Sequence, residues 1–114
     1  MGSDHPHIDV SSFVLCYVTK NWLVNRPCLQ ELARGVLRKA PLITLLEPFT
    51  DAVHGGVTEA DCREIMLGDE YARRWQDLQS SVEKWRVDWA QPSLKLPTPA
   101  EAADALFASP PRGW

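Results

Sequence analysis

No apolar run in the sequence approaches the ~18 residues that a membrane-spanning helix needs, so no span is expected. The start, Met1-Gly2-Ser3-Asp4-His5-Pro6-His7, has neither the basic region nor the apolar core of a secretory signal. Pro6 also stands where N-myristoylation needs Ser or Thr. Basic charge is in deficit: 12 Lys and Arg face 15 Asp and Glu, a net charge of -3, and phosphate binding needs a basic stripe. Nucleic acid is therefore not an expected partner. Cysteine is sparse, and Cys16, Cys28 and Cys62 form no Cys-x-x-Cys spacing. An odd, unpaired set argues against a zinc site or a disulfide framework and for free thiols in a reducing compartment, which makes a cytoplasmic location the expectation. His5 and His7 lack a second ligand pair, so no metal is expected. No internal repeat is visible. What remains is ordinary: 114 residues, 45% hydrophobic and 24% charged, the profile of one globular domain rather than a disordered chain.

The informative stretch is residues 12–49. Ser12-Phe13-Val14-Leu15-Cys16-Tyr17-Val18-Thr19 is nearly continuous in apolar or β-prone residues, as strands buried on both faces are. Leu42-Ile43-Thr44-Leu45-Leu46 repeats that character after a segment of crossover length. Between them Asn25 can cap a helix that carries Pro27 in its first turn, where a missing N–H costs nothing. Leu29, Leu32, Ala33, Val36 and Leu37 recur at helical spacing and form one apolar face. Arg34, Arg38 and Lys39 place positive charge where the helix dipole favours it, and Pro41 stops the helix after about Lys39. The pattern is a βαβ unit. Ligands of open α/β sheets bind where strand carboxyl ends meet helix starts, and Glu31 is expected in that first helical turn.

Beyond it, Pro48 and residues 51–57 form a long loop ending in His54-Gly55-Gly56, read as a turn rather than a phosphate cradle. Thr58-Glu59-Ala60-Asp61 opens a short helix ending near Gly68. Tyr71, Trp75, Leu78, Val82, Trp85 and Trp89 fall at spacings of 4, 3, 4, 3 and 4, the seam of one helix ended by Pro92. That seam is expected to pack on the sheet; the alternative is a surface for a partner. Thr98-Pro99-Ala100-Glu101 opens an Ala-rich helix to about Phe107, and residues 109–114, with Trp114, form a non-helical tail. The division is thus a flexible lead over 1–11, a domain over 12–90, and a short helix with tail over 91–114. Only two strands are predicted, which leaves a strand edge for another segment, another copy or a partner to cover.

These residues resemble the second half of a Toll/interleukin-1 receptor (TIR) domain. In that family a strand and short loop precede a helix opening with Trp-Cys-x-x-Glu-Leu, and a second strand follows. Here Trp22-Leu23 occupies the loop, Cys28-Leu29-Gln30-Glu31-Leu32 matches the Cys-x-x-Glu-Leu core, and Ala40-Pro41-Leu42-Ile43-Thr44-Leu45-Leu46 resembles the following strand. Pro27 replaces the usual Trp. The match covers about residues 11–50, so the expected fold is α/β, a partial flavodoxin-like βαβ unit with parallel strands and C-terminal helices. The family's earlier strands and final helix are expected to be missing.

The resemblance implies a signalling or defence module that self-associates or pairs with another TIR-like chain. It further implies NAD+ as a substrate rather than a bound cofactor, with Glu31 catalytic and Trp22 and Cys28 contacting the dinucleotide. A carboxylate suits N-glycosidic cleavage, which builds oxocarbenium character that an anion stabilises. The alternatives are a non-catalytic interaction module, in which Glu31 is an inert surface residue, and a shortened product without activity of its own.

Overall fold

A computed structural model of the chain describes residues 13–108. The expected lead over 1–11 and the tail from Ser109 to Trp114, with His5 and His7, lie outside the described residues. Strand β1 spans Val14–Val18 and β2 spans Leu42–Leu46. Helices α1 (Arg26–Leu37), α2 (Glu59–Met66), α3 (Asp69–Gln76), α4 (Gln79–Asp88) and α5 (Pro99–Leu106) accompany them, with a 3-10 turn over Trp22–Val24. The fold is mixed α/β, with two parallel strands. Among the described residues no helix is long and apolar enough to cross a membrane.

The β1–α1–β2 unit forms for the reasons legible in its residues. Asn25 is extended and its side chain accepts the Cys28 N–H, with Pro27 in the first turn. Leu29, Leu32 and Ala33 are buried, and each leucine contributes about 1.5–3 kcal/mol by leaving water. The register is Val14 to Leu42, Cys16 to Thr44 and Val18 to Leu46. Those residues meet α1 and α5, and the Thr44 hydroxyl donates to the Leu106 carbonyl at 2.5 Å.

The alternate residues overturn one expectation. Phe13, Leu15, Tyr17 and Leu45 are half-exposed or more, because both packing helices lie on the same side of the sheet. Among the described residues the second sheet face has no cover, and each strand has only the other as a hydrogen-bonded neighbour. Among the described residues, continuous apolar character therefore goes with a sheet covered on one side rather than two.

The aromatic seam also differs from expectation. It runs along two helices, broken at Asp77 and Leu78, where the backbone bonding tightens to Leu78 N–H donating to the Trp75 carbonyl. The Asp77 carbonyl, freed from the ladder, accepts from the Arg26 guanidinium at 3.3 Å. Tyr71, Trp75, Leu78 and Val82 are buried. Helix α3 packs chiefly on α2, α5 and the 3-10 turn, and its buried residues join the core that includes Cys16 and Val18 of the sheet. Trp75 Nε1–H donates to the Pro97 carbonyl at 2.6 Å, which fixes the segment leading into α5. That helix opens with a capping box between Thr98 and Glu101, and Ala102, Ala103 and Leu106 join the same core as the βαβ unit.

Two helix ends follow one design. After α1, Lys39 N–H donates to the Val36 carbonyl and Ala40 N–H to the Gly35 carbonyl. After α4, Ala90 N–H donates to Val87 and Gln91 N–H to Arg86. Both are Schellman ends with a non-glycine residue in the left-handed region, Lys39 at φ 58° and Ala90 at φ 53°, and a proline stands two residues on.

Candidate functional site

Glu31 is exposed on the second turn of α1, the sixth helical residue, not in the first turn as expected. The helix dipole falls off within a turn, so its contribution there is small. Two grooves meet at Glu31. One, about 490 Å³, lies between α1 and α4 and is lined by Pro27, Gln30, Glu31, Arg34, Ser81, Lys84 and Trp85. Its floor is tied by Gln30 Nε2–H donating to Ser81 Oγ at 3.1 Å. The Arg34 guanidinium lies 6.0 Å from the Trp85 ring, and Arg38 covers Trp89 at 4.2 Å. Trp85 and Trp89 themselves stack at 5.6 Å. A carboxylate, two cations and an indole thus share one open groove.

The other groove, about 160 Å³, runs between Glu31, Arg34 and Arg38 of α1 and Phe13 and Val14. Its strand residues are at the start of β1. Glu31 therefore faces the flank of the helix layer, away from the carboxyl ends of the strands.

Trp22 and Cys28 do stand near those carboxyl ends, in and after the turn that follows β1. Both are half-buried, and neither lines a groove that holds Glu31. Asn25 joins them: its N–H donates to the Trp22 carbonyl at 3.4 Å and its side chain accepts from Cys28 N–H at 3.2 Å. Burial pushes the Cys28 thiol above its ordinary value, and the Glu31 carboxylate adds to the rise. Cys16, beneath α1, is pushed up to about 12 by burial first and Glu31 second. Neither thiol is activated as a nucleophile, which needs a lowered value.

A second constellation, which no sequence motif marks, occupies the strand carboxyl ends. Tyr17 donates its hydroxyl to Glu47, whose other oxygen accepts the Phe49 N–H at 2.9 Å. Asp51 accepts the N–H groups of Val53 and His54 and pairs with His54 Nδ1 at 2.9 Å. The glycines that follow serve this loop's path. Gly55 has φ +66°, and a Cβ on Gly56 would lie 2.2 Å from the Glu47 carbonyl oxygen. The parallel register supplies the signal that finds the Tyr17–Glu47 pair: Tyr17 opposes Leu45, and Glu47 is the next residue on that face. Among the described residues no three His, Cys, Asp or Glu side chains converge on a point that a metal could occupy.

No known protein family, curated protein or solved structure matches this chain.

Proposed function

We propose that the chain is a TIR-like signalling or defence module of the cytoplasm that works by self-association. The Cys28-x-x-Glu31-Leu32 motif between two parallel strands supports the family, and the uncovered apolar sheet face carries the self-association. An exposed face of that kind lowers its free energy by meeting another apolar surface. Light scattering across a concentration series tests this: the mean mass rises with concentration, and a constant monomer mass would rule the reading out.

A second reading, NAD+ hydrolysis, is favoured by the groove between α1 and α4. Glu31 there would stabilise the ribosyl cation as the bond to nicotinamide breaks and water adds. Arg34 and Lys84 would hold the pyrophosphate, and the Trp85 indole offers a face for a base. Trp22 and Cys28 would act by fixing the start of α1. Nicotinamide release from NAD+ tests it, with Glu31→Ala as control. Turnover abolished by that substitution supports the enzyme. No turnover, or turnover equal in Glu31→Ala, leaves a non-catalytic interaction module.

A further inference from the structure

We infer that the uncovered sheet face is itself the contact between two copies of this chain, packed face to face about a twofold axis. The inference rests on the self-association reading and names its surface. Leu15 and Tyr17 of β1, Phe13 just before that strand, and Ile43 and Leu45 of β2 share this face by alternation and register. Phe13 is 57% exposed, Leu15 53%, Tyr17 50% and Leu45 49%. None of the five is charged, and the carboxylate at the end of the face, Glu47, is buried and held by the Tyr17 hydroxyl and the Phe49 N–H. The polar tip of Tyr17 is already satisfied by Glu47, so covering its ring leaves no orphan hydroxyl.

Area separates the occupants. Side chains of this size, half exposed, leave about 100 Å² each in water, so one copy offers on the order of 450 Å². Two copies then bury on the order of 900 Å², just under the ~1,000 Å² at which specific interfaces begin. Phe49, exposed beside Glu47 at the rim, extends the patch. Residues 1–12 bring only Met1, Ile8 and Val10 as large apolar side chains, and residues 109–114 only Trp114. Neither segment matches the face in apolar content, whereas a second copy matches it residue for residue. A closed, isologous pair is the simplest arrangement that covers both faces at once. Its small area makes it a weak, reversible dimer rather than an obligate one.

Sedimentation equilibrium on the full chain tests the surface, with Leu15→Glu on β1, Leu45→Glu on β2, and Val87→Glu as control. Val87 is 66% exposed on α4, which packs against α1 in the helix layer, so it reports added charge away from the face. The expected result is a wild-type dimer whose dissociation constant rises about 100-fold or more in each face variant and is unchanged in Val87→Glu. Circular dichroism melts of dilute samples should match wild type, because both leucines are solvent-exposed in the monomer. A wild-type dimer unaffected by both face variants overturns the surface and leaves self-association standing. A wild type that is monomeric throughout overturns both. Unfolding in both face variants would mean that these positions are interior, and would also overturn the inference.

Discussion

Tyr17, half-exposed on the open sheet face, and Glu47, buried just past the end of β2, are diagonal neighbours, and the Tyr17 hydroxyl donates to the Glu47 carboxylate. The bond joins the penultimate residue of β1 to the residue just after β2, across a sequence separation that spans the whole of α1. It also anchors the loop that follows, because Glu47 takes the Phe49 N–H and Gly56 returns to donate to the Phe49 carbonyl at 2.8 Å. Lys20 N–H closes the circuit on the Gly55 carbonyl. The carboxyl end of the sheet is thus shut by the chain's own hydrogen bonds, while the groove at Glu31 stays open.

Removing the Tyr17 hydroxyl should change the pH dependence of stability at both limits. The Tyr17 bond, then the Phe49 N–H, hold the Glu47 carboxyl below its ordinary 4.5. The same bond raises the Tyr17 phenol above 10.0. A carboxyl lowered by folding adds stability above its unfolded value and loses it as pH falls through the folded one. A phenol raised by folding adds stability below its unfolded value and loses it as pH rises through the folded one. The pair therefore contributes between these limits. In Tyr17→Phe, the Glu47 carboxyl should titrate closer to 4.5 by carbon-detected NMR, and acid unfolding should begin at higher pH. An unchanged Glu47 titration would refute the coupling.

Glycine at the two left-handed helix ends should stabilise the protein. A side chain in that region costs about 1–2 kcal/mol. The added freedom of glycine in the unfolded chain returns about 0.5–1 kcal/mol of that. Lys39→Gly and Ala90→Gly should each gain about 0.5–1 kcal/mol in urea unfolding, and Lys39→Ala should gain nothing. The caps are bridged by Arg38 stacked on Trp89, each one residue before its left-handed position. A double variant that departs from additivity would measure coupling through that contact.

The βαβ unit was legible because its determinants are local: Asn25, Pro27 and the Leu29–Leu32–Ala33 spacing fix α1, and β2 falls at the predicted 42–46. Thr58 and Thr98 cap their helices as their neighbours imply. What could not be read was set by tertiary placement. An apolar strand looks the same whether one face or two are covered, so the bare side of Leu15 and Leu45 left no mark in the residues. The seam from Tyr71 to Trp89 keeps its spacing across the break at Asp77 and Leu78, because Trp75 and Val82 stay buried on either side of it. The motif marks Glu31, yet the groove between α1 and α4 that it lines depends on how α4 packs against α1, which no short spacing encodes.

Tyr71→Phe should stabilise the fold. Tyr71 is buried and stacks on Trp75 with ring centroids 5.8 Å apart. Among the described residues its hydroxyl has no hydrogen-bond partner. Burying a polar group in that state costs about 1–3 kcal/mol, and phenylalanine keeps the ring while removing the orphan. A gain of about 1 kcal/mol should raise the melting midpoint by roughly 4–8 °C for a domain of this size. Loss of stability instead would show that the hydroxyl is satisfied, by ordered water for example.

The three thiols should divide by reactivity with a disulfide reagent such as DTNB at neutral pH. Cys16 and Cys62 are fully buried, their thiols pushed up to about 12 and about 11, so native protein should leave both unmodified. Cys28 is half-buried and should react, but more slowly than free cysteine, since burial and the Glu31 carboxylate both disfavour its thiolate. Native protein should therefore release one equivalent of chromophore slowly, and denatured protein three at once. Because Glu31 is part of what holds the Cys28 thiol up, Glu31→Gln should quicken the native reaction while leaving the denatured rate unchanged. A Cys28 that reacted faster than free cysteine would instead mark an activated thiolate at the start of α1. That would make the cysteine, rather than the carboxylate three residues on, the reactive group of this helix.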